Sequence, residues 1–348
     1  MGTTIKDVAR EAGVSVATVS RAFNGSGPVR PDTLRRIEDV AERLRYRPHG
    51  GARSLITRQT RTVGVLLPDL YGEFFSEVLR GIDKTAQARA HHILVSSSHN
   101  EREELEAAVA AMHGRVDGLI LMAQDTGVAS LLGEIPFGLP LVLLNCRADG
   151  PYDSITIANE RGTRAVVRHL SALGHRRIAM IKGPDGNFDA AERLRGYRKG
   201  MREAGVTSTS ALELPGAFTD ASGYAAAKHL LRMRPRPTAV LAANDTTALG
   251  ALSALREAGV AVPDDIAVVG FDDIPMARYL NPPLTTVHVS IRELGKRAVE
   301  RLLTALDDKD AHEPREDVLP TRLVVRGTCG APTLTGGSHA ADTDEGQC

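Results

Sequence analysis

Through residues 1–47 the apolar positions return every three or four residues, the period of a helix with one buried face. Ile5, Val8, Ala9 and Ala12 form a first such face. Gly13 interrupts it, Val14 supplies an apolar staple, and Ser15 is a good N-cap for a second short helix, Val16–Phe23. Thr3 or Thr4 can cap the first helix, and Thr4-x-x-Asp7 has the form of a capping box. Pro31 suits the first position of a third helix, whose stripe is Leu34, Ile37, Val40, Ala41 and Leu44. The spacing therefore predicts a three-helix head with a tight glycine turn between its first two helices.

From residue 62 the period changes. TVGVLLPD, HHILVSSS, VDGLILMA and PLVLLN are short β-rich runs, and RIAMIKGP, ALELPG, TAVLAAND and IAVVGFDD make a second set. Helical stretches lie between them, at Glu73–Ala90 and Glu101–His113 and from near Glu160, Asp189, Asp220 and Thr246. Alternating strands and helices predict parallel sheets covered on both faces. Two sets predict an α/β body of two similar doubly wound subdomains. In such sheets ligands sit outside the carboxyl ends of the strands. Pro68-Asp69, Asn145, Asn244-Asp245 and Asp272-Asp273 collect there.

Charge separates the two regions. The formal net charge of zero hides 12 Lys/Arg against 6 Asp/Glu in residues 1–61, and 31 against 37 in the remainder. A basic head on an acidic body points to nucleic acid. The amino terminus lacks the apolar segment of a signal peptide, and no run of 18 apolar residues exists, so a cytoplasmic protein without a membrane span is expected. Three cysteines, Cys146, Cys329 and Cys348, show no metal spacing, and His169 and His175 have no paired ligands. No P-loop, H-E-x-x-H or G-x-S-x-G occurs, and no cofactor is called for.

Helix, glycine turn and short helix is the helix-turn-helix pattern, whose second helix lies in the major groove. Val16 and Ala17 can touch thymine methyls and Arg21 can reach a guanine. Ser15, Thr18 and Asn24 suit phosphate oxygens. Thr4 and Ser20 complete the candidates in the head. An ordinary helical hairpin is the alternative.

IKDVAREAGVSVATVSRAFNG, the YRP and ARSL segments and several later blocks closely resemble the lac repressor-type (LacI/GalR) family of bacterial transcription regulators, from about Thr3 to Gly327. The resemblance implies a head over 1–47, a hinge over 48–61 and a core of periplasmic-binding-protein type over 62–327; beyond it, the polar, Gly-rich composition reads as a disordered tail over 328–348. In that family the hinge becomes a short helix on operator DNA and paired hinges enter the minor groove. By position Ala52 and Leu55 face the DNA, with Leu55 the wedge between base steps, which favours a palindrome with a central CG step. The family more often has bulkier residues at Gly50 and Gly51; glycine there raises the cost of ordering the hinge.

The resemblance also assigns the cleft. Phe74, Phe75 and Phe218 become aromatic walls, Arg193 a cationic clamp, and Asn145, Asn244 and Asp272 hydrogen-bonding groups. A sugar or related polyol is the first effector class these imply, a nucleoside or purine the second. Phe74 and Phe75 have an alternative as core residues, Asp272 as a helix cap, and Arg193 as a surface ion pair; Asp245 and Asp273 read as structural caps, and Cys146 as an inert thiol. The tail holds a single leucine, Leu334, so the leucine heptad that joins some members into tetramers is missing and a homodimer is expected. A sugar transport protein and a small-molecule enzyme on the same scaffold are the competing functions.

Overall fold

The computed structural model describes residues 3–24, 27–46, 59–99, 101–123, 128, 132–133, 135, 138–146, 150–206, 210–308 and 311–330. Two compact units emerge: Met1–Thr62 with Gly114–Asp117, and Val63–His113 with Gly118–Cys348.

The small unit carries three helices: α1 (Ile5–Glu11), α2 (Val16–Asn24) and α3 (Pro31–Arg43). Asp7 reaches back to accept from the backbone N–H and hydroxyl of Thr4, at 3.0 and 2.7 Å. α1 ends in a left-handed glycine, Gly13 at φ +64°, with Val14 N donating to Ala9 O and Gly13 N to Arg10 O. That is the Schellman closure, in which two orphan carbonyls find donors. Val8, Ala9, Ala12, Val19, Ile37, Val40 and Ala41 form a closed core, with Phe23 and Tyr46 packed at its edge, ring centres 5.9 Å apart.

The large unit is an α/β fold of two subdomains. In the first, β1 (Thr62–Leu67), β2 (His92–Ser97), β3 (Gly118–Leu121), β4 (Leu141–Leu144), β5 (Asp153–Ile157) and β11 (Glu316–Leu319) form one sheet in the order β11-β5-β4-β3-β1-β2. In the second, β6 (Ile178–Ile181), β7 (Glu213–Leu214), β8 (Ala239–Ala242) and β9 (Ala267–Val269) have the order β7-β6-β8-β9. The pairings β1–β3, β3–β4, β4–β5, β5–β11, β6–β7, β6–β8 and β8–β9 are parallel. Both sheets are doubly wound, with the strand order reversing beside β1 and beside β6.

Helices α4 (Glu73–Ala88), α5 (Arg102–Met112) and α10 (Ile291–Asp307) belong to the first subdomain. Helices α6 (Asn159–Ala172), α7 (Phe188–Glu203), α8 (Asp220–Leu230) and α9 (Asp245–Glu257) belong to the second. Reciprocal glycines bring two helix pairs into backbone contact. A Cβ on Gly223 of α8 would lie 2.0 Å from Thr247 O, and one on Gly250 of α9 1.8 Å from Asp220 O. Gly81 of α4 and Gly295 of α10 stand in the same relation to Arg292 O and Val78 O. The chain passes between subdomains three times, after β5, after β10 (Thr286–Val289) and before β12 (Thr321–Val324), and the last two strands pair antiparallel. Among the described residues no helix is long and apolar enough to cross a membrane.

Two expectations need correction. Residues 328–330 do not belong to a loose tail. Thr328 and Cys329 are buried in a short 3-10 turn, and Thr328 Oγ1 accepts from Thr285 N at 2.8 Å. Asp245 and Asp273 are not helix caps. Asp245 is fully buried and ties α9 to two other segments, accepting from Thr286 Oγ1 at 2.5 Å and Ile274 N at 2.9 Å. Asp273 holds His288 at 2.9 Å and Arg326 at 2.6 Å. A carboxylate one residue out of register with a helix start reaches the packing beneath it instead of the helix amides.

Candidate functional site

In the small unit, α2 divides its surface sharply. Val19 is completely buried, whereas Val16, Ala17 and Arg21 are exposed. Ser15 Oγ accepts from Thr18 N at 3.1 Å and lies 2.9 Å from Thr18 Oγ1, so Ser15 caps the helix while its side chain stays at the surface. Thr4 is exposed at the start of α1, and Ser20 is half-buried. A helix whose outward N-terminal residues are short fits the major groove, because its backbone can come close to base edges. The Asn24 side chain and the hinge candidates Ala52 and Leu55 lie outside the described residues.

In the large unit, seven strand ends converge on one cleft of about 270 Å³. Pro68 and Asp69 follow β1, Met122 and Ala123 follow β3, and Asn145 follows β4. From the second subdomain come Pro184 after β6, Ala217 and Phe218 after β7, Asn244 after β8 and Asp272 after β9. The cleft stands at the carboxyl ends of both sheets, beside the strands where their order reverses. All seven residues expected there, Phe74, Phe75, Asn145, Arg193, Phe218, Asn244 and Asp272, line it.

Arg193, on α7, is 3% exposed and organises the floor. Its Nε donates to Asn159 Oδ1 at 2.8 Å, Nη1 to Ala243 O at 2.6 Å and Nη2 to Asp272 Oδ1 at 3.0 Å. Its guanidinium stacks on Phe271 at 3.8 Å and lies 5.5 Å from the centre of Phe218. Arg193 is therefore no surface ion pair, and Asp272 no cap. Burial raises the Asp272 carboxyl to about 7; Arg193 opposes the rise and Asp189 adds to it.

Asn145 is 3% exposed, and neither its amide nitrogen nor its carbonyl oxygen has a hydrogen-bond partner among the described residues. Leaving such a buried group unsatisfied costs about 1–3 kcal/mol. Asn145, Phe218 and Asp272 also hold positive φ, at +49°, +63° and +109°. Asn and Asp tolerate that region; a phenylalanine there is an outlier, and such outliers gather at ligand sites. Phe218 lies over Gly183, where a Cβ would come 2.5 Å from the ring.

Phe74 and Phe75 are half-buried, with ring centres 5.5 Å apart and planes at 85°; they pack on the core and line the cleft together. Asn244 has less to offer a ligand than expected. Its Oδ1 caps α9 through Thr247 N at 2.9 Å and its Nδ2 donates to Phe218 O at 3.1 Å. Asp189 and Asn187 line the cleft without having been expected. Asp189 lies one helical turn before Arg193 on α7, so the Asp-x-x-x-Arg spacing was the available signal. Cys146 is buried, 3.8 Å from Leu121 O. His169 meets Cys329 Sγ at 3.4 Å and His175 meets Thr238 Oγ1 at 3.0 Å.

Comparison with known proteins gives the same division of the chain. Residues 4–49 match the family described as bacterial regulatory proteins, lacI family, and residues 167–329 match the periplasmic binding protein-like domain. The HTH-type transcriptional repressor PurR of Photobacterium profundum is 36% identical over 93% of this chain and 97% of its own length. The ribose operon repressor of Escherichia coli (strain K12) is 35% identical over 93% of this chain and 99% of its own. The crystal structure of the lac repressor dimer bound to operator and the anti-inducer ONPF superimposes with a TM-score of 0.86 at 33% identity, covering 95% of this chain and all of that one. With a helix-turn-helix head, a two-subdomain core and relatives aligned along nearly their whole length, the chain belongs to the lacI family of bacterial regulatory proteins.

Proposed function

We propose that this regulator is a repressor that binds a palindromic operator as a homodimer and that a small molecule in the cleft controls its grip. It works by binding, not catalysis, in the cytoplasm where its operator lies. The observation that carries the reading is the cleft's buried, unpartnered Asn145 beside the Arg193–Asp272 pair, in a chain that also carries a helix-turn-helix head. Polar groups held ready in a cavity are what a ligand completes. The effector is a sugar or polyol first, a nucleoside or purine second, and Phe74, Phe75, Asn145, Arg193, Phe218 and Asp272 hold it. The exposed residues of α2, with Thr4, Ser15, Thr18 and Ser20, contact the operator, and Ala52 and Leu55 enter its minor groove. The lac repressor structure, described as a dimer on operator, supports two copies on one site. Two-fold symmetry then requires inverted half-sites.

Selection from a random-sequence duplex library tests this. A palindrome with a central CG step is the expected product, and Arg21→Ala should relax the choice at one base pair in each half-site, worth about 1–3 kcal/mol. Enrichment of asymmetric sites, or of none, would count against the proposal.

A further inference from the structure

We infer that the cleft takes an uncharged, single-ring polyhydroxylated molecule and turns away its phosphorylated and carboxylated forms. The inference rests on the reading of the cleft as the effector site and narrows its ligand class.

Charge is the first argument. Asp69, Asp189, Asp220 and Asp272 line the cleft, and Arg193 is the one cation among its lining residues. That guanidinium is already held on three sides, by Asn159, Ala243 O and Asp272. An anionic effector meets the carboxylates of Asp69, Asp189 and Asp220, an Asp272 carboxyl already paired with Arg193, and no cation free of such partners. Like charges brought together in a binding site cost several kcal/mol.

Helix dipoles argue the other way and must be weighed. α4, α7, α8 and α9 all begin at the cleft, and each amino terminus is worth about half a positive charge. Four ends sum to about two charges. Three of them are capped internally, Ala190 N by Asn187, Ser222 N by Thr219 and Thr247 N by Asn244. α4, α7 and α8 also carry an acid in the first turn, Glu73, Asp189 and Asp220. The dipoles are thus met by the protein's own groups, and an anion gains little from them.

Hydrogen-bond demand is the second argument. Asn145 presents one unsatisfied donor group and one unsatisfied acceptor on the same side chain. A hydroxyl answers both, since it donates and accepts. The bonds shown for Asp272 engage one carboxylate oxygen, and those for Asp69 and Asp220 engage one each. The cleft therefore calls for a ligand with donors pointing in several directions. A ring bearing hydroxyls around its edge has them; a flat base has few.

Shape agrees. Phe74 and Phe75 stand at right angles to each other, so the two rings do not form a pair of parallel walls for a flat ligand. A volume of about 270 Å³ is at the small end for ligand sites, which suits a single ring.

The test uses the full-length protein and a matched panel followed by thermal shift and calorimetry at one pH. The panel holds D-ribose, D-glucose, D-galactose and D-xylose, the phosphate esters of these, glucuronate and galacturonate, and hypoxanthine and adenosine. Binding by a neutral carbohydrate, with its ester or uronate at least about 100-fold weaker, is the expected result. An ester, uronate or purine that binds as tightly as every neutral sugar overturns the inference, and so does a panel in which no neutral sugar binds. Operator binding by the same preparation separates the two readings. If it persists while an anion or purine proves to be the effector, only the ligand class is wrong; if operator recognition fails, the regulatory reading goes with it.

Discussion

Arg193 and Asp272, 79 positions apart in the sequence, meet at 3.0 Å on the floor of the cleft, with side chains 3% and 5% exposed. The pair is nearly dry, so each charge depends on the other. Breaking a buried pair by removing one partner costs roughly 3–5 kcal/mol when the survivor stays charged.

Arg193→Ala is therefore expected to destabilise the core in a pH-dependent way. A carboxyl raised in the folded state binds its proton more tightly than in the unfolded chain, so Asp272 favours folding at acid pH, and that contribution fades as pH climbs from about 4 to about 7. Without Arg193 the carboxyl rises further. Urea unfolding should show a loss of about 3 kcal/mol on the alkaline side of 7 and a smaller one on the acid side. A loss that is equal on both sides would refute the argument.

Effector affinity should rise with pH through about 7, because an ionised Asp272 is the stronger acceptor for a ligand hydroxyl. Below that point the dissociation constant should fall by up to about tenfold per pH unit, then level off. Arg193 and Asp189 on α7, and the Asp245 carboxyl at the start of α9, which burial raises well above the usual carboxylate range, are the charged and titratable groups that face Asp272. Asp272→Asn should flatten the profile. Calorimetry at several pH values checks this, and affinity that weakens with rising pH would contradict it.

Asp117 holds the two residues that lead into β1, Thr60 and Arg61. Its carboxylate accepts from Thr60 N and Arg61 N at 2.6 Å each and from Thr60 Oγ1 at 3.0 Å. Hydrogen bonds to a charged group are worth about 1.5–3 kcal/mol each. Asp117→Ala should leave the effector dissociation constant within about twofold, yet shrink the ratio of operator affinities with and without effector by about fivefold or more. Anisotropy titrations with a labelled operator measure that ratio; an unchanged value removes Asp117 from the coupling.

Gly50 and Gly51 lie outside the described residues, but their effect is calculable from helix propensity. Changing both to Ala should favour the hinge helix by up to about 1 kcal/mol each, and by up to about 4 kcal/mol in a dimer with two hinges. Operator binding should tighten and effector control weaken. Binding at one fixed salt concentration, with and without effector, decides the matter. Weaker binding would mean that the glycines admit the DNA backbone, and unchanged binding that the segment is only a tether.

How far the sequence reached depended on the range of the interactions. The head was legible because its determinants are local. Gly13, the Thr4–Asp7 box, Pro31 and the apolar stripes act within a few residues of where they stand. The eight apolar strand runs were legible for the same reason, and they carried the α/β class. DSITI of β5, TVHV of β10, EDVL of β11 and TRLV of β12 were not read as strands. They are short and partly polar, and become strands only by pairing with segments distant in sequence, as Glu316 does with Ser154.

The cleft divides in the same way. Resemblance placed its seven expected residues, but their roles came from contacts across the fold. Asn244 is the cap, and Asp245 beside it is the buried tie. Asp189 joins the site because α7 turns it toward the same floor as Arg193. Asn145 is buried without a hydrogen-bond partner among the described residues at a place where seven strand ends meet. Periodicity and capping propagate over one or two turns of chain, so the sequence alone determined the elements. Burial, and with it the raised Asp272 carboxyl, depends on which surfaces exclude water, and that was decided by the packing of segments as far apart as Pro68 and Asp272.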